Sequence, residues 1–187
     1  MEETKLKNFL ELDYETIEEM NLAARAITDP EEAREKHVTY LEETKQLKAV
    51  TLCFSDIEGR LHMLDYDRKF FLSSLDNLTF DGSSVRGLSE QSESDLRLRV
   101  DWTSLTFVPA DIFGAGKVII FANICDRDLQ PYATDFRAQL QAYTQALKAK
   151  DGMEAYMAPE IEGFLLKGVD AEQHYDGRKG FELVSTG

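Results

Sequence analysis

Apolar positions in the first part of the chain recur at helical spacing. Ile17, Met20, Ala24 and Ile27 would lie along one stripe, and residues 1–47 read as helical throughout. Asp29-Pro30-Glu31-Glu32 restarts the helix. Asp29 can cap, Pro30 suits the first helical position, and Glu32 completes a capping box. The pattern carries this second helix to about Leu47, with Ala33, His37, Tyr40, Leu41 and Thr44 on one side. The period then changes. Val50, Leu52 and Phe54 alternate with Thr51, Cys53 and Ser55, a half-buried strand. A turn at Ser55–Gly59 and renewed alternation from Arg60 to Tyr66 predict a β-hairpin. A short helix is expected at Arg68–Leu75. Strands follow at Leu96–Val100, Leu105–Val108 and Lys117–Cys125, the last apolar enough to be central. Short strands around a small helix make residues 48–130 a compact α+β domain.

Asp126–Thr134 is a polar connection. Asp135 can cap a helix carrying Leu140, Tyr143 and Leu147 on one face, which Asp151-Gly152 stops. Glu154–Leu166 reads as a strand, Gly168–Gly180 as a polar loop or hairpin, and Phe181–Val184 as a further strand. One helix and a strand pair cannot bury a core alone. Residues 131–187 are therefore expected to be the beginning of a second domain.

Charge narrows the function classes. A net charge of −14 argues against nucleic-acid binding, which needs a basic surface, and suits a protein that gathers cations. Cys53 and Cys125 lie far apart inside apolar segments, as reduced core residues do. The start is charged (Glu2, Glu3, Lys5, Lys7), so no signal peptide is expected. The longest apolar run, Val118–Ile124, is too short to span a membrane. A cytoplasmic protein follows. His37 reads as a partly buried helix residue, and His62 and His174 as surface or turn residues.

Two segments carry candidate chemistry. Phe80–Asp95 holds two glycines, five serines and four acids with little periodicity. Asp81-Gly82 opens it as a turn. It is either a solvated linker or an ordered loop presenting Asp81 and its serines to a cation. The second segment is Pro159-Glu160-Ile161-Glu162-Gly163-Phe164. On a strand, Glu160 and Glu162 would share a face, roughly 6–7 Å apart. They would either sit on a solvated edge or hold divalent cations that prefer oxygen, such as Mg²⁺ or Mn²⁺.

Taken together, Phe80-Asp81-Gly82-Ser83-Ser84, Glu93-Ser94-Asp95 and Pro159-Glu160-x-Glu162-x-Phe164 resemble glutamine synthetase. Pro131-Tyr132-x-x-Asp135-x-Arg137 resembles that family's entry to its catalytic domain, with Phe136 where the family usually has proline. Three motifs in one order are more specific than any alone. The resemblance covers about residues 48–187. It implies a helical N-terminal extension (1–47), a β-grasp domain (48–130) and an incomplete part of an α+β catalytic domain (131–187). It implies ATP-dependent joining of ammonia to the γ-carboxyl of glutamate in a homo-oligomeric ring. Asp81 matches the aspartate that helps bind and deprotonate ammonium, and Ser84 a residue beside it. Glu160 and Glu162 match two ligands of the catalytic Mg²⁺ or Mn²⁺. Leu88 stands where many bacterial relatives carry an aromatic residue. Arg86, Glu93 and Asp95 are expected to order the loop. The family's later metal ligands, ATP-binding segment and substrate arginines have no counterpart here, so the chain alone is expected to be inactive. Two alternatives remain: part of a ligase that glutamylates a polyamine, and a non-catalytic β-grasp module that binds or regulates a partner.

Overall fold

The computed structural model describes residues 8–163, together with the backbone of Leu166–Lys167 and Glu182–Leu183. Two helices open it, α1 (Tyr14–Arg25) and α2 (Pro30–Glu43). β1 (Ala49–Ser55) and β2 (Leu61–Asp67) form the expected hairpin, with Leu52 opposite Leu64. α3 (Arg68–Ser73) follows, then β3 (Thr79–Asp81), β4 (Asp95–Val100), β5 (Thr106–Phe107), the short α4 (Ala110–Phe113) and β6 (Lys117–Cys125). The sheet runs β2-β1-β6-β4-β3, with β5 also on β6. β1 and β6 are parallel; the other pairings of this sheet are antiparallel. The architecture is the α+β arrangement expected.

β1 is buried on both faces rather than half-buried as its alternation suggests, because it lies between β2 and β6, with Thr51 and Cys53 covered as well. Val50, Leu52 and Phe54 of β1 pack with Val118, Ile120, Ala122 and Ile124 of β6 and with Leu96 and Leu98 of β4. Ile17, Ala24, Ala33 and Leu41 from α1 and α2 enter the same core. The N-terminal helices are thus packed on the sheet. Asn21 pins α1 to β5, its amide donating to the Phe107 carbonyl (3.0 Å) and its oxygen accepting from Phe107 N–H (2.8 Å). Buried His37 holds α2 to the turn at Trp102; its Nδ1 lies 2.9 Å from the Trp102 carbonyl, and only a donor can satisfy that oxygen.

Asp29 caps α2 through Glu32 N–H (2.9 Å), but the Glu32 carboxylate turns to Lys36 (2.7 Å) and the reciprocal half of the box is not made. α2 stops at Glu43, short of Leu47. There the Arg68 guanidinium takes the carbonyls of Leu41 (2.7 Å) and Glu42 (3.3 Å), which satisfies the helix end from a distant element.

α5 (Phe136–Asp151) is capped by Asp135, as expected, and ends at Gly152 in the left-handed conformation (φ 67°). A polar ring joins it to the sheet. Arg137 donates to Asp101 Oδ2 (2.5 Å) and Asn123 Oδ1 (2.6 Å); Gln141 accepts from Asn123 (2.6 Å) and donates to Asp101 (3.0 Å). Buried Asp135 also accepts from Ile124 N–H in β6 (2.6 Å).

The strand expected over Glu154–Leu166 is not formed in its described part. Residues 152–163 have no regular structure and are exposed throughout, Ile161 at 98%. A strand is held by its neighbour, and among the described residues none pairs with this stretch. β7 (Leu166–Lys167) pairs instead with β8 (Glu182–Leu183), antiparallel. The expected loop at Gly168–Gly180 lies outside the described residues, as does His174.

Candidate functional site

Asp81 is the last residue of β3, and the pattern that ends the strand also builds the site. Asp81 Oδ1 accepts from Ser83 N–H (3.0 Å) and Ser83 Oγ–H (2.6 Å), while Oδ2 accepts from Ser84 Oγ–H (2.5 Å). The Asp-x-Ser-Ser order therefore folds into one short turn, Gly82–Ser84, around its own carboxylate. These bonds, led by the Ser83 hydroxyl and then Ser84, hold the Asp81 carboxyl below the usual carboxylate range. The group is an exposed anion with fixed orientation.

Across the sheet, Asp81 stands directly opposite Asp95. Both are exposed, so two acidic residues stand side by side in register at this edge of the sheet. Asp95, expected to order the loop, is the first residue of β4 and is placed beside Asp81 by the β3–β4 register.

Gly82 is buried and could not be another residue without movement. A Cβ there would meet Leu96 Cδ1 at 2.6 Å and Ser89 Oγ at 2.7 Å, and its N–H donates to the Ser94 carbonyl (2.7 Å). Leu88 is buried beneath the loop, and its carbonyl accepts from Thr134 Oγ1 (3.2 Å). Leu88 thus serves as a hydrophobic anchor. Glu93 orders the far end of the loop by accepting from Tyr132 O–H (3.1 Å). Arg86 lies 3.9 Å from Glu58, an exposed and weak pair. The loop of residues 80–95 is therefore ordered by specific bonds, which decides against the solvated linker.

The second candidate segment stands apart. Glu160 and Glu162 lie in the exposed stretch 152–163, with no hydrogen-bond partner among the described residues. Nor do the described residues contain a cluster of three His, Cys, Asp or Glu able to hold a metal. Two carboxylates supply hard oxygen donors that suit Mg²⁺ or Mn²⁺, though fewer than such ions require. Both cysteines are buried and free, and burial pushes the Cys53 thiol up to about 11. His62 lies on β2 rather than in the turn, partly exposed at the surface, with Nε2 2.9 Å from Asp56 Oδ2. No helix among the described residues is long and apolar enough to cross a membrane.

Residues 46–127 match the family model of the glutamine synthetase β-grasp domain. The glutamine synthetase of Thermotoga maritima is 30% identical over 148 residues, 76% of this chain and 33% of that protein. That of Archaeoglobus fulgidus is 34% identical over 151 residues, 70% of this chain and 29% of that protein. A solved Plasmodium falciparum glutamine synthetase shares the fold, with TM-score 0.56 and 19% identity over 62% of this chain and 22% of its own. The chain spans about a third of the length of these curated relatives.

Proposed function

Because the chain belongs to the glutamine synthetase family through the β-grasp domain at residues 46–127, we propose that it supplies the ammonium side of an ATP-dependent glutamate–ammonia ligase. The observation that carries this reading is the Asp81 carboxylate, exposed and fixed by Ser83 and Ser84. In the proposed reaction the glutamate γ-carboxylate takes the γ-phosphoryl group of ATP, releasing ADP. The nitrogen lone pair of ammonia then attacks the γ-carbonyl carbon, and phosphate departs with the C–O bonding pair. Ammonium must lose a proton before that attack. A carboxylate held below its usual range is a weak proton acceptor, so Asp81 acts first by electrostatics. It concentrates and orients the cation and takes up the proton that ammonium must lose before its lone pair can attack; a second proton leaves nitrogen once the C–N bond has formed, as phosphate departs. Ser84 fixes the second carboxylate oxygen. Glu160 and Glu162 are assigned as two ligands of the divalent metal, whose chemistry when bound is to offset phosphate charge. Residues 131–187 are assigned to the start of the catalytic domain, and a homo-oligomer completes each site.

The test is γ-glutamyl hydroxamate formation from glutamate, ATP and hydroxylamine with Mg²⁺ or Mn²⁺ by the protein that carries this chain. Turnover that favours ammonium over a polyamine supports the reading; preference for the polyamine moves it to a different acceptor. The 187-residue chain alone is expected to be inactive, and turnover by it would overturn that part.

A further inference from the structure

The β1–β2 hairpin meets the Asp81 loop at two places, at Phe80 through Phe54 of β1 and at Gly87 through Ile57 of the turn. The turn centres on Asp56, only 4% exposed, which accepts from Glu58 N–H, Arg60 N–H and His62 Nε2–H, each at 2.9 Å. Those three bonds fix the turn and so aim Ile57. The Ile57 Cδ1 atom lies 2.6 Å from where a Cβ on Gly87 would stand. Gly87, at φ 74°, is therefore required twice, for its left-handed backbone and for the room it leaves. On the other side of the loop, Phe54 packs on Phe80 with ring centres 4.5 Å apart, and Phe80 immediately precedes Asp81. His62 stacks on the same Phe54 at 5.1 Å. Ile57 thus bears on the loop after Asp81, and Phe54 on the residue before it.

We propose that Asp56, Ile57 and His62 are positioning residues that set the orientation of the Asp81 carboxylate from outside its loop. They touch no reacting group. Their effect passes through Phe54–Phe80 on one side and Ile57–Gly87 on the other. The orientation matters for ammonium only if the proposed function holds; the mechanical coupling is independent of it and can be tested in this chain without ligand.

The experiment uses the isotope-labelled chain and two NMR readings, the hydrogen-exchange protection of the Gly82 amide and the titration of the Asp81 carboxyl. Ile57→Ala removes the contact with Gly87, and at 37% exposure Ile57 can be shortened without opening the core. His62→Phe keeps the ring against Phe54 but removes the donor to Asp56. His62→Gln restores a donor, and Ile57→Leu restores bulk. The expected result is a roughly tenfold loss of Gly82 protection in Ile57→Ala and His62→Phe. In both, the Asp81 carboxyl should titrate at higher pH than in the unsubstituted chain, and the thermal midpoint should stay within a few degrees. Ile57→Leu should restore both readings, and His62→Gln the titration. The proposal is overturned if Gly82 protection and Asp81 titration stay unchanged in both loss variants, or if they shift only in proportion to global stability. Failure of the ligase assay alone would remove the functional reading and leave the coupling standing.

Discussion

Both oxygens of Asp81 accept from donors within the next three residues, and the loop that carries those donors is in turn held from outside by the β1–β2 turn. Ser83→Ala removes the largest of these influences. The Asp81 carboxyl should then titrate at higher pH, which carbon-detected NMR can follow. The sign is fixed by the native-state shift. A carboxyl lowered on folding adds stability above its unfolded value of about 3.9, and that contribution is lost as pH falls through the native one. His37 shows how burial acts on a base. Burial pushes the ring below its ordinary value of about 6.5, and the Trp102 carbonyl only partly offsets this. The unfolded chain therefore takes up the proton first as pH falls. Stability linked to His37 should be complete above about pH 6.5 and decline through the acid range below it, and His37→Gln should flatten that slope in denaturation curves between pH 7 and 5. The local motif Asp81-Gly82-Ser83-Ser84 was legible in sequence because its bonds span two or three residues. The opposition of Asp81 and Asp95 was not, since it depends on strand register.

Among the elements, those with local signals came out where the pattern put them. Asp29 and Asp135 cap their helices, Gly152 ends α5, and alternation marks the β1–β2 hairpin. Long-range partners decided the rest. Arg68 closes α2 before Leu47, and residues 154–163 lack the neighbour that would make them a strand. The attachment of α5 rests on Arg137, whose guanidinium bonds Asp101 and Asn123 and lies over the Phe121 ring at 5.6 Å. Burial raises the Asp101 carboxyl, but bonds from Thr103 and Arg137 outweigh it and hold it below the usual range. Arg137→Ala leaves that carboxylate short of a partner and is expected to cost about 2 kcal/mol in chemical denaturation. Gly82→Ala tests the loop's seat differently. It forces a methyl group into Leu96 and Ser89, with an expected cost of about 1–3 kcal/mol by the same measurement.

For the whole molecule, one core unites the N-terminal helices with the sheet, while α5 and the segment after it turn apolar side chains outward. Phe136, Leu140 and Tyr143 lie on one exposed face of α5, and Tyr156, Met157 and Ile161 are almost bare. Brief proteolysis with mass detection should cut within 152–163 and spare residues 49–125, because proteases need extended, accessible backbone. The net charge of −14 suits attraction of a small cation. The match covers about a third of the relatives' length. The ammonium role of Asp81 is most directly tested by the ammonium dependence of ligase turnover in the protein that carries this chain, with and without Asp81→Asn. The account predicts a loss in kcat/KM for ammonium of about a hundredfold or more, with the KM for ATP nearly unchanged. Equal ammonium kinetics in the two proteins would contradict it.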